Sequence, residues 1–409
     1  MHEVSAEHLQ ARLTGYADRT PRVVVSGNHA TPYTALGLLD QVLPQYRLVT
    51  LNAQRGVPDR EGVTHETPFV GPGVRNSPRL VYLPARLSLV PRMFATSLQP
   101  DIVLLHTTTP RDGRVSLGSE VNILPAAVEQ TRLRGGLVVA QVDRHMPWTY
   151  GDAELGTDLI DLALSADEGL PAPQLVPPSE TSAAIAERVA ALVDDGATLQ
   201  AGIGGIPDAV IASLRSRRGL RFWTEMFSDG VLDLDRAGAL DPDGVLTASF
   251  VFGSAELMAW LDGNPRVRML RTEKANDPAL IAGQRKMTSI NSALQVDLFG
   301  QANASWVKGR IYSGLGGQSD FVVGALHSVG GQAIMALPSW HEKARCSTVV
   351  ARLDGPTTSF QHSWIVSDQG QAAIWPQDQR TQARQLLDVA HPSAREALRA
   401  AGRDLGVLP

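Results

Sequence analysis

Apolar runs of strand length alternate with helix-like segments through the first half of the chain. Four such runs are predicted as strands, at residues 22–26, 47–51, 101–106 and 136–142. A helix follows the first run, because Thr31-Pro32 has the cap and first-turn residues typical of a helix start. Another helical stretch lies around residues 122–133. This alternation predicts an α/β fold with a parallel sheet.

A proline-rich segment separates this half of the chain from the next. Residues 170–178 hold four prolines in nine positions, and proline lacks both the donor and the φ freedom that regular structure needs. Beyond this linker, Ile185, Val189 and Leu192 fall on one face of a helix, and the α/β alternation starts again. We therefore predict two similar α/β domains with open sheets. The predicted domains span residues 1–175 and 176–409.

One apolar run in the second half of the chain ends next to a carboxylate. Glu225 follows the run that begins at Leu220, and a polar turn comes soon after it. Ligands of open α/β sheets sit beyond the carboxyl ends of the strands, so Glu225 is placed to act as a nucleophile or a base. A strand-end Glu is usually a solvated surface charge. Here Trp223, Met226 and Phe227 predict apolar surroundings, in which a carboxylate must be paired, hydrogen-bonded or functional.

Two glycine-rich turns are candidates to supply backbone N–H groups to such a nucleophile. Residues 202–205 lie between a short strand and a helix start, and residues 314–317 follow a strand-like run. Such turns point unpaired N–H groups at a ligand and let it approach closely. Either turn could instead be purely structural, and a dinucleotide fingerprint is disfavoured because Pro207 replaces its third glycine. The candidate residues in the turns are Ile203, Gly204, Gly314, Gly316 and Gly317.

Three further side chains are candidates for substrate binding. Asn291 is an amide near predicted apolar structure, so it either orients a substrate or caps a helix. His29 follows the first predicted strand and could reach a substrate carboxylate across a domain cleft, although a single histidine is more often structural. Gln318 follows the second glycine turn. No metal site is predicted, because His341-Glu342 lacks the second histidine of a zinc motif.

Charge and composition narrow the classes of function. The formal charge is −5, which argues against binding to nucleic acid or to an anionic membrane surface. A single cysteine, Cys346, excludes an internal disulfide and a multi-cysteine metal site. The first residues lack the order of a signal peptide, and no apolar run approaches the roughly 18–20 residues of a membrane span. We therefore expect a cytoplasmic protein.

A series of segments, in this order, resembles the acetyl-CoA hydrolase/transferase family of class I CoA-transferases, including its 4-hydroxybutyrate CoA-transferase branch. The segments cover nearly the whole chain, and their succession is more specific than any one of them. They are residues 70–75, 115–118, 146–152, 202–210, 224–234, 264–267, 290–297, 312–321 and 390–392.

The resemblance implies two similar α/β domains with the active site between them, and it implies roles for particular residues. Glu225 would be the nucleophile, the oxyanion-stabilising N–H groups would lie near Ile203 and Gly316, and the family's asparagine would fall on Asn291. CoA would be a substrate, no cofactor would be needed, and the protein would be a homo-oligomer, with a homodimer expected. The glycine-turn residues would stabilise the oxyanion or bind CoA, namely Ile203, Gly204, Gly314, Gly316 and Gly317.

The reaction implied is transfer of CoA between an acyl-CoA and a small carboxylic acid, through a covalent glutamyl-CoA thioester. Two alternatives stay open, an acyl-CoA hydrolase that uses the same Glu and a catalytically silent homologue that binds CoA or another metabolite. Four positions depart from the family's usual residues, namely Trp148, Tyr150, Trp223 and Asp368. They leave the nucleophile in place and bear on which acid is used.

Overall fold

The computed structural model describes residues 1–171, 177–202, 204–357, 359 and 361–409. These residues form two compact units, each built from separate stretches of the chain. The first unit comprises Met1–Pro173, Val245–Ala275 and Ile311–Gly316, and the second comprises Gln174–Gly244, Asn276–Arg310 and Gly317–Pro409. The boundary predicted between residues 175 and 176 lies outside the described residues, and the division into 1–175 and 176–409 stays a prediction.

The first unit contains an open sheet in which every described strand pairing is parallel. Its strand order is His2–Glu3, Leu162–Ala166, Leu137–Asp143, Ile102–Thr107, Arg22–Val25, Tyr46–Val49, Val63–Thr67 and Leu80–Tyr82. The apolar runs seen in the sequence are these strands, and the side chains of Val23 to Val25 and Ile102 to Leu105 are almost fully buried. Continuous apolar runs are typical of parallel strands that are covered on both faces.

Helices and short strands complete the first unit. The α-helices are Ala6–Thr14, Tyr33–Val42, Val90–Phe94, Leu124–Leu133, Ala255–Leu261 and Thr272–Ala275, with 3₁₀ turns at Leu87–Leu89 and Thr157–Leu159. The short strands are Arg114–Ser116, Tyr150–Gly151, Glu154–Gly156, Leu246–Ala248, Phe250–Val251 and Val267–Met269. The predicted cap at Thr31 is wrong, because Pro32 occupies the N-cap position of its helix and makes no side-chain cap hydrogen bond.

The second unit contains its own largely parallel sheet. Its strand order is Gly370–Ala373, Trp364–Ser367, Gln332–Ala336, Met287–Ser292, Thr198–Ala201 and Arg221–Trp223. Only the hairpin of Trp364–Ser367 with Gly370–Ala373 is antiparallel among these described pairings. The predicted α/β class with two open parallel sheets is therefore confirmed.

The remaining elements of the second unit are mostly short. The α-helices are Glu180–Leu192, Gly205–Ser213, Asp229–Arg236, Pro278–Ala282, Gln318–His327, Gln379–Val389 and Arg395–Asp404, with a 3₁₀ turn at Pro392–Ala394. The short strands are Met226–Phe227, Gln295–Asp297, Ala302–Asn303, Trp306–Val307, Trp340–His341, Cys346–Ser347 and Val349–Val350. The short strand Arg310–Ile311 begins in this unit and ends in the first. Within the described part of the chain, no helix is both long and apolar enough to cross a membrane.

Candidate active site

Glu225 lies directly beyond the carboxyl end of the strand Arg221–Trp223 in the second unit. Its neighbours on both sides, Thr224 and Met226, are buried, whereas Glu225 itself is only partly buried. The two buried neighbours thus fix the backbone at Glu225, while the Glu225 side chain remains partly exposed to solvent. This is the kind of placement that a reactive group at the end of a parallel strand requires.

A buried amide holds the Glu225 carboxylate. The Nδ2 of Asn276 donates a hydrogen bond of 2.9 Å to Oε2 of Glu225, and Asn276 is fully buried. Asn276 stands just before the helix Pro278–Ala282, whose start is fixed by Asp277, since its Oδ1 accepts from the Ala279 N–H at 2.7 Å. Oδ1 of Asn276 has no hydrogen-bond partner among the described residues, so the amide keeps a free acceptor beside the carboxylate.

Gly317, from the second glycine turn, packs directly against this pair. A Cβ built at Gly317 would lie 2.0 Å from Oε2 of Glu225 and 2.1 Å from Nδ2 of Asn276. Both distances are far below van der Waals contact, so only a glycine lets the backbone approach the carboxylate this closely. Gly317 of the second glycine turn therefore lies beside the strand-end Glu225 within the second unit, and its role as an N–H donor stays a prediction.

An apolar cluster joins four elements of the second unit, three of which adjoin Glu225, Asn276 and Gly317 in sequence. Ile281, Met287, Phe321 and Ala325 are fully buried, and Trp223 packs against them. These side chains come from the strand before Glu225, from the helix after Asn276, from the strand Met287–Ser292 and from the helix that follows Gly317. Trp223, one of the departures from the family's usual residues, thus has a packing role here.

Burial raises the pKa of the Glu225 carboxyl to about 7. The hydrogen bond from Asn276 lowers the pKa, and the negative charge of Asp320 raises it further. Asp320 is almost fully buried in the first turn of the helix Gln318–His327. The carboxyl therefore ionises near neutral pH, where a poorly hydrated carboxylate can act as a nucleophile.

The first glycine turn precedes the helix Gly205–Ser213 in the second unit. Gly204 occupies the N-cap position with φ of 119°, a backbone conformation that favours glycine, and it is exposed. A helix N-terminus of this kind leaves N–H groups for a ligand. Ile203 lies outside the described residues. The oxyanion role of both residues stays a prediction.

Asn291 is engaged in a polar network between neighbouring parallel strands. Its Nδ2 donates to Oε1 of Gln200 at 3.0 Å and to Oγ of Ser289 at 2.9 Å, and its Oδ1 accepts from Nε2 of Gln200 at 3.2 Å. Because Asn291 lies within the strand Met287–Ser292, the helix-cap alternative is wrong. Substrate contact by Asn291 stays a prediction. The same holds for Gln318, whose Nε2 lies 3.5 Å from Sδ of Met335.

The first part of the second glycine turn is fixed within the first unit. Gly314 forms an isolated bridge with Phe69, and the Leu87 N–H donates to the Gly316 carbonyl at 2.9 Å. A Cβ at Gly314 would lie 2.5 Å from the Pro68 carbonyl oxygen. Gly314 and Gly316 are thus locked by local packing, and their proposed role as N–H donors stays a prediction.

His29 of the first unit is buried, and its ring centroid lies 3.9 Å from that of Phe252. Its Nδ1 has no hydrogen-bond partner among the described residues, and burial lowers the pKa of the ring to about 4. The imidazole is therefore neutral at physiological pH. A contact between His29 and a substrate carboxylate would have to be a neutral hydrogen bond rather than an ion pair.

A second carboxyl of raised pKa lies in the first unit. Glu120 is almost fully buried, and its Oε1 accepts from the Gly27 N–H at 2.9 Å, from Nδ2 of Asn28 at 3.1 Å and from Nδ2 of Asn122 at 2.8 Å. Burial raises its pKa to about 7, while these donors lower it. Glu120 thus ties two loops together at the carboxyl edge of the sheet.

Asn276, Asp320 and Glu120 were not predicted from the sequence. Asn276 carried one usable signal, since Asp277-Pro278 directly after it is a helix-start pattern that fixes an adjacent side chain. Asp368, a departure from the family's usual residues, accepts from the Ser339 N–H at 2.6 Å and from Ser339 Oγ at 2.9 Å. Its role in this structure is therefore to hold a neighbouring turn.

Comparison with known proteins decides the family. Residues 59–171 match the N-terminal domain of acetyl-CoA hydrolase/transferase, and residues 253–401 match the C-terminal domain. A 4-hydroxybutyrate coenzyme A transferase from Clostridium kluyveri is 36% identical over 351 residues, which cover 82% of this chain and 80% of the relative. The chain belongs to the acetyl-CoA hydrolase/transferase family.

Two further matches extend over nearly the whole chain. A succinyl-CoA:acetate/propanoyl-CoA:succinate CoA transferase from Fasciola hepatica is 33% identical, covering 97% of this chain and 87% of the relative. The crystal structure of a 4-hydroxybutyrate CoA-transferase from Porphyromonas gingivalis superposes with a TM-score of 0.82 at 28% identity, covering 99% of this chain and 98% of that one. The resemblance seen in the sequence is thereby confirmed at the level of family and fold.

Proposed function

We propose that this member of the acetyl-CoA hydrolase/transferase family transfers CoA between an acyl-CoA and a small carboxylic acid, with Glu225 as the nucleophile. One observation carries the proposal. The Glu225 carboxylate sits at a strand end, is held at 2.9 Å by the buried Asn276 amide and lies against the Gly317 backbone. A carboxylate fixed in this way is a suitable nucleophile for covalent acyl chemistry.

In the first half-reaction, the ionised Glu225 attacks the carbonyl carbon of the acyl-CoA thioester. The tetrahedral oxyanion collapses and expels CoA thiolate, which leaves a mixed anhydride between the acyl group and Glu225. The thiolate then attacks the glutamyl carbonyl of that anhydride. The first acid leaves as a free carboxylate, and Glu225 is left as a thioester of CoA.

In the second half-reaction, the acceptor carboxylate attacks the glutamyl thioester and expels CoA thiolate. A second anhydride forms, and the thiolate attacks its acyl carbonyl. This step releases the new acyl-CoA and regenerates the Glu225 carboxylate, so protons and electrons balance without a cofactor. The oxyanions need N–H donors, each typically worth about 3–4 kcal/mol, and we assign that role to the glycine turns.

Asn276 has a defined part in this scheme. Its amide fixes one carboxylate oxygen, which leaves the other oxygen of Glu225 to attack, and it favours the ionised form because it donates to that form. Trp223, two residues before Glu225, packs against a fully buried apolar cluster, and such packing limits the access of water to the reacting carboxylate. We therefore expect transfer to an acid to exceed hydrolysis.

The test uses two variants of the full chain and a panel of carboxylic acids. Glu225→Ala should abolish transfer while leaving the thermal midpoint near that of the wild type. Glu187→Ala, which removes an exposed carboxylate from the helix Glu180–Leu192, should transfer normally. Retention of most of the turnover by Glu225→Ala would contradict the proposal.

The same assay separates transferase from hydrolase. Free CoA release is measured with and without each acceptor acid. A transferase should release free CoA slowly when no acceptor acid is present. When an acceptor is added, it should form the new acyl-CoA instead. Release that equals or exceeds transfer for every acid would make the protein a hydrolase that uses the same Glu.

A further inference from the structure

A cavity of about 450 Å³ lies entirely within the first unit. Its walls come from the loops that follow the strands Ile102–Thr107, Leu137–Asp143 and Leu162–Ala166, and from residues 253–262. These three strands are parallel neighbours, so the cavity opens at the carboxyl edge of the sheet. That edge is where open α/β sheets bind ligands, and the volume falls in the range of small-molecule sites.

Arg111 supplies an unpaired cation to this cavity. Its guanidinium carbon lies 4.9 Å from the ring centroid of Trp148, whose side chain is only 6% exposed. Among the described residues, the Arg111 guanidinium has no carboxylate partner and no hydrogen bond. A guanidinium stacked on an aromatic ring loses little further conformational freedom when an anion binds it. Its planar N–H donors remain available to that anion.

A second cationic group lies on the same wall. Arg144 donates through Nε and a terminal nitrogen to Asp167, at 3.1 and 2.9 Å, and Nε2 of His145 lies 2.7 Å from Oδ1 of the same carboxylate. Both Arg144 and His145 line the cavity. The ion pair orients Arg144 and leaves its other terminal nitrogen available, so a bound anion would meet two oriented guanidinium groups.

These contacts argue against a metal ion as the ligand. Asp143, His145 and Asp167 each place one potential ligand atom within 4.8 Å of the others. However, Asp167 is held by Arg144, and Asp143 already accepts from the N–H groups of His145, Glu168 and Gly169 at 2.8 to 2.9 Å. Carboxylates satisfied in this way offer little to a cation.

The rest of the lining is mostly apolar, with two threonines, Thr108 and Thr109, and a single acid. Met146 and Met258 are buried in the wall beside Pro147, and thioether side chains adapt well to flat rings. Asp262 is exposed and accepts from the Trp148 N–H at 2.7 Å through Oδ1, which leaves its second oxygen as an acceptor. The cavity therefore combines two guanidinium groups, one imidazole, two threonines, a largely apolar wall and one carboxylate.

We propose that this cavity binds a nucleoside phosphate. The phosphate would pair with Arg111 and Arg144, the base would lie on the methionine wall, and the sugar hydroxyls or a base amine would donate to Asp262. Such a ligand has two sources, a free nucleotide or the nucleotide end of CoA. Only the second source rests on the function proposed above.

The experiment titrates the full chain with adenosine 5′-monophosphate, and separately with adenosine and with inorganic phosphate, by calorimetry. The nucleotide should bind more tightly than either fragment, and rising salt should weaken it. Arg111→Ala should lower the affinity by about tenfold or more, and Arg111→Lys should also weaken binding because lysine lacks the fork. The matched control is Arg19→Ala, which removes another exposed guanidinium stacked at 4.4 Å on Tyr16 and should change nothing.

Two further arms distinguish the sources. If adenosine 3′,5′-bisphosphate and CoA displace the monophosphate, and Arg111→Ala raises KM for acyl-CoA at unchanged kcat, the ligand is the nucleotide end of CoA. If they do not compete and KM is unchanged, the ligand is a free nucleotide. The proposal is overturned if neither adenosine 5′-monophosphate nor adenosine 3′,5′-bisphosphate binds the wild type. It is also overturned if adenosine 5′-monophosphate binds Arg111→Ala as tightly as it binds the wild type. Labelling of Glu225 by acyl-CoA is scored separately, so a failure here is distinct from a failure of the proposed function.

Discussion

A single methyl group at Gly317 should disable the Glu225 nucleophile. In Gly317→Ala the new Cβ would lie 2.0 Å from Oε2 of Glu225 and 2.1 Å from Nδ2 of Asn276. Ordinary contact begins at 3.4 Å, so the carboxylate must retreat by about 1.4 Å or the glycine turn must move by a similar distance. Either movement disrupts the contacts with Asn276 and Gly317 that fix the position of the Glu225 carboxylate.

The size of the effect follows from that displacement. A misplacement of ~1 Å at a reacting centre costs on the order of 10²-fold in rate, which is about 3 kcal/mol of activation free energy. We therefore expect Gly317→Ala to lose at least about 100-fold in kcat/KM for acyl-CoA. The thermal midpoint should also fall, because the Asn276 amide is fully buried and cannot move outward as the partly exposed Glu225 can.

The assay compares kcat/KM and the thermal midpoint of this variant with those of a matched glycine replacement. Gly370→Ala is the control, because its new Cβ would have no neighbour closer than 3.9 Å, and it should keep full activity. If Gly317→Ala retained more than about a third of the wild-type kcat/KM while folding normally, the assignment of Gly317 and Glu225 to one site would be refuted.

Three other predictions follow from the same contacts. Asn276→Ala should lower turnover and shift the acid limb of the kcat/KM profile to higher pH. The Asn276 hydrogen bond lowers the pKa of Glu225, so removing that bond should raise the pKa, and an unshifted limb in a pH series would contradict this. In the wild type, kcat/KM should fall roughly tenfold per unit of pH below about 7, since only the ionised carboxylate attacks, and a flat profile from pH 5 to pH 8 would exclude Glu225. Glu120→Gln should make stability less dependent on pH. The folded pKa of Glu120 lies above its ordinary value of 4.5, so its contribution is fully present below pH 4.5 and is lost as pH rises through about 7. Denaturant melts at pH 5 and pH 8 should show the wild type losing up to about 3 kcal/mol relative to the variant, and parallel losses would contradict the prediction.

The sequence was sufficient to predict the fold class, because both sheets consist largely of parallel strands and the central ones are buried on both faces. Such strands appear as unbroken apolar runs, as at residues 102–105 and 137–140. The sequence did not predict that residues 245–275 and 311–316 join the first unit, because that membership depends on long-range packing. The cap at Thr31 failed because Pro32, not Thr31, precedes the first helical residue.

The site was partly predictable for a different reason. Glu225 and Gly317 were visible because a strand-end carboxylate and a glycine turn leave local signals. Asn276 was missed because its importance comes from a contact across 51 positions of sequence, which no local pattern records. Asn291 looked equally suitable, yet its amide is engaged with Gln200 and Ser289 on neighbouring positions of the sheet. Asn276 and Asn291 are the same residue type, and only their neighbours in the folded structure distinguish the one that contacts Glu225.

Covalent attachment of CoA to Glu225 is the most direct test of the account. The protein is incubated with acyl-CoA and no acceptor acid, reduced with borohydride to convert a glutamyl thioester to an alcohol, digested and analysed by peptide mass spectrometry. The account predicts that the reduced side chain is found at Glu225, and that adding a good acceptor acid before the reduction removes the signal. Modification of a different carboxylate, or none in a preparation that turns over normally, would contradict it.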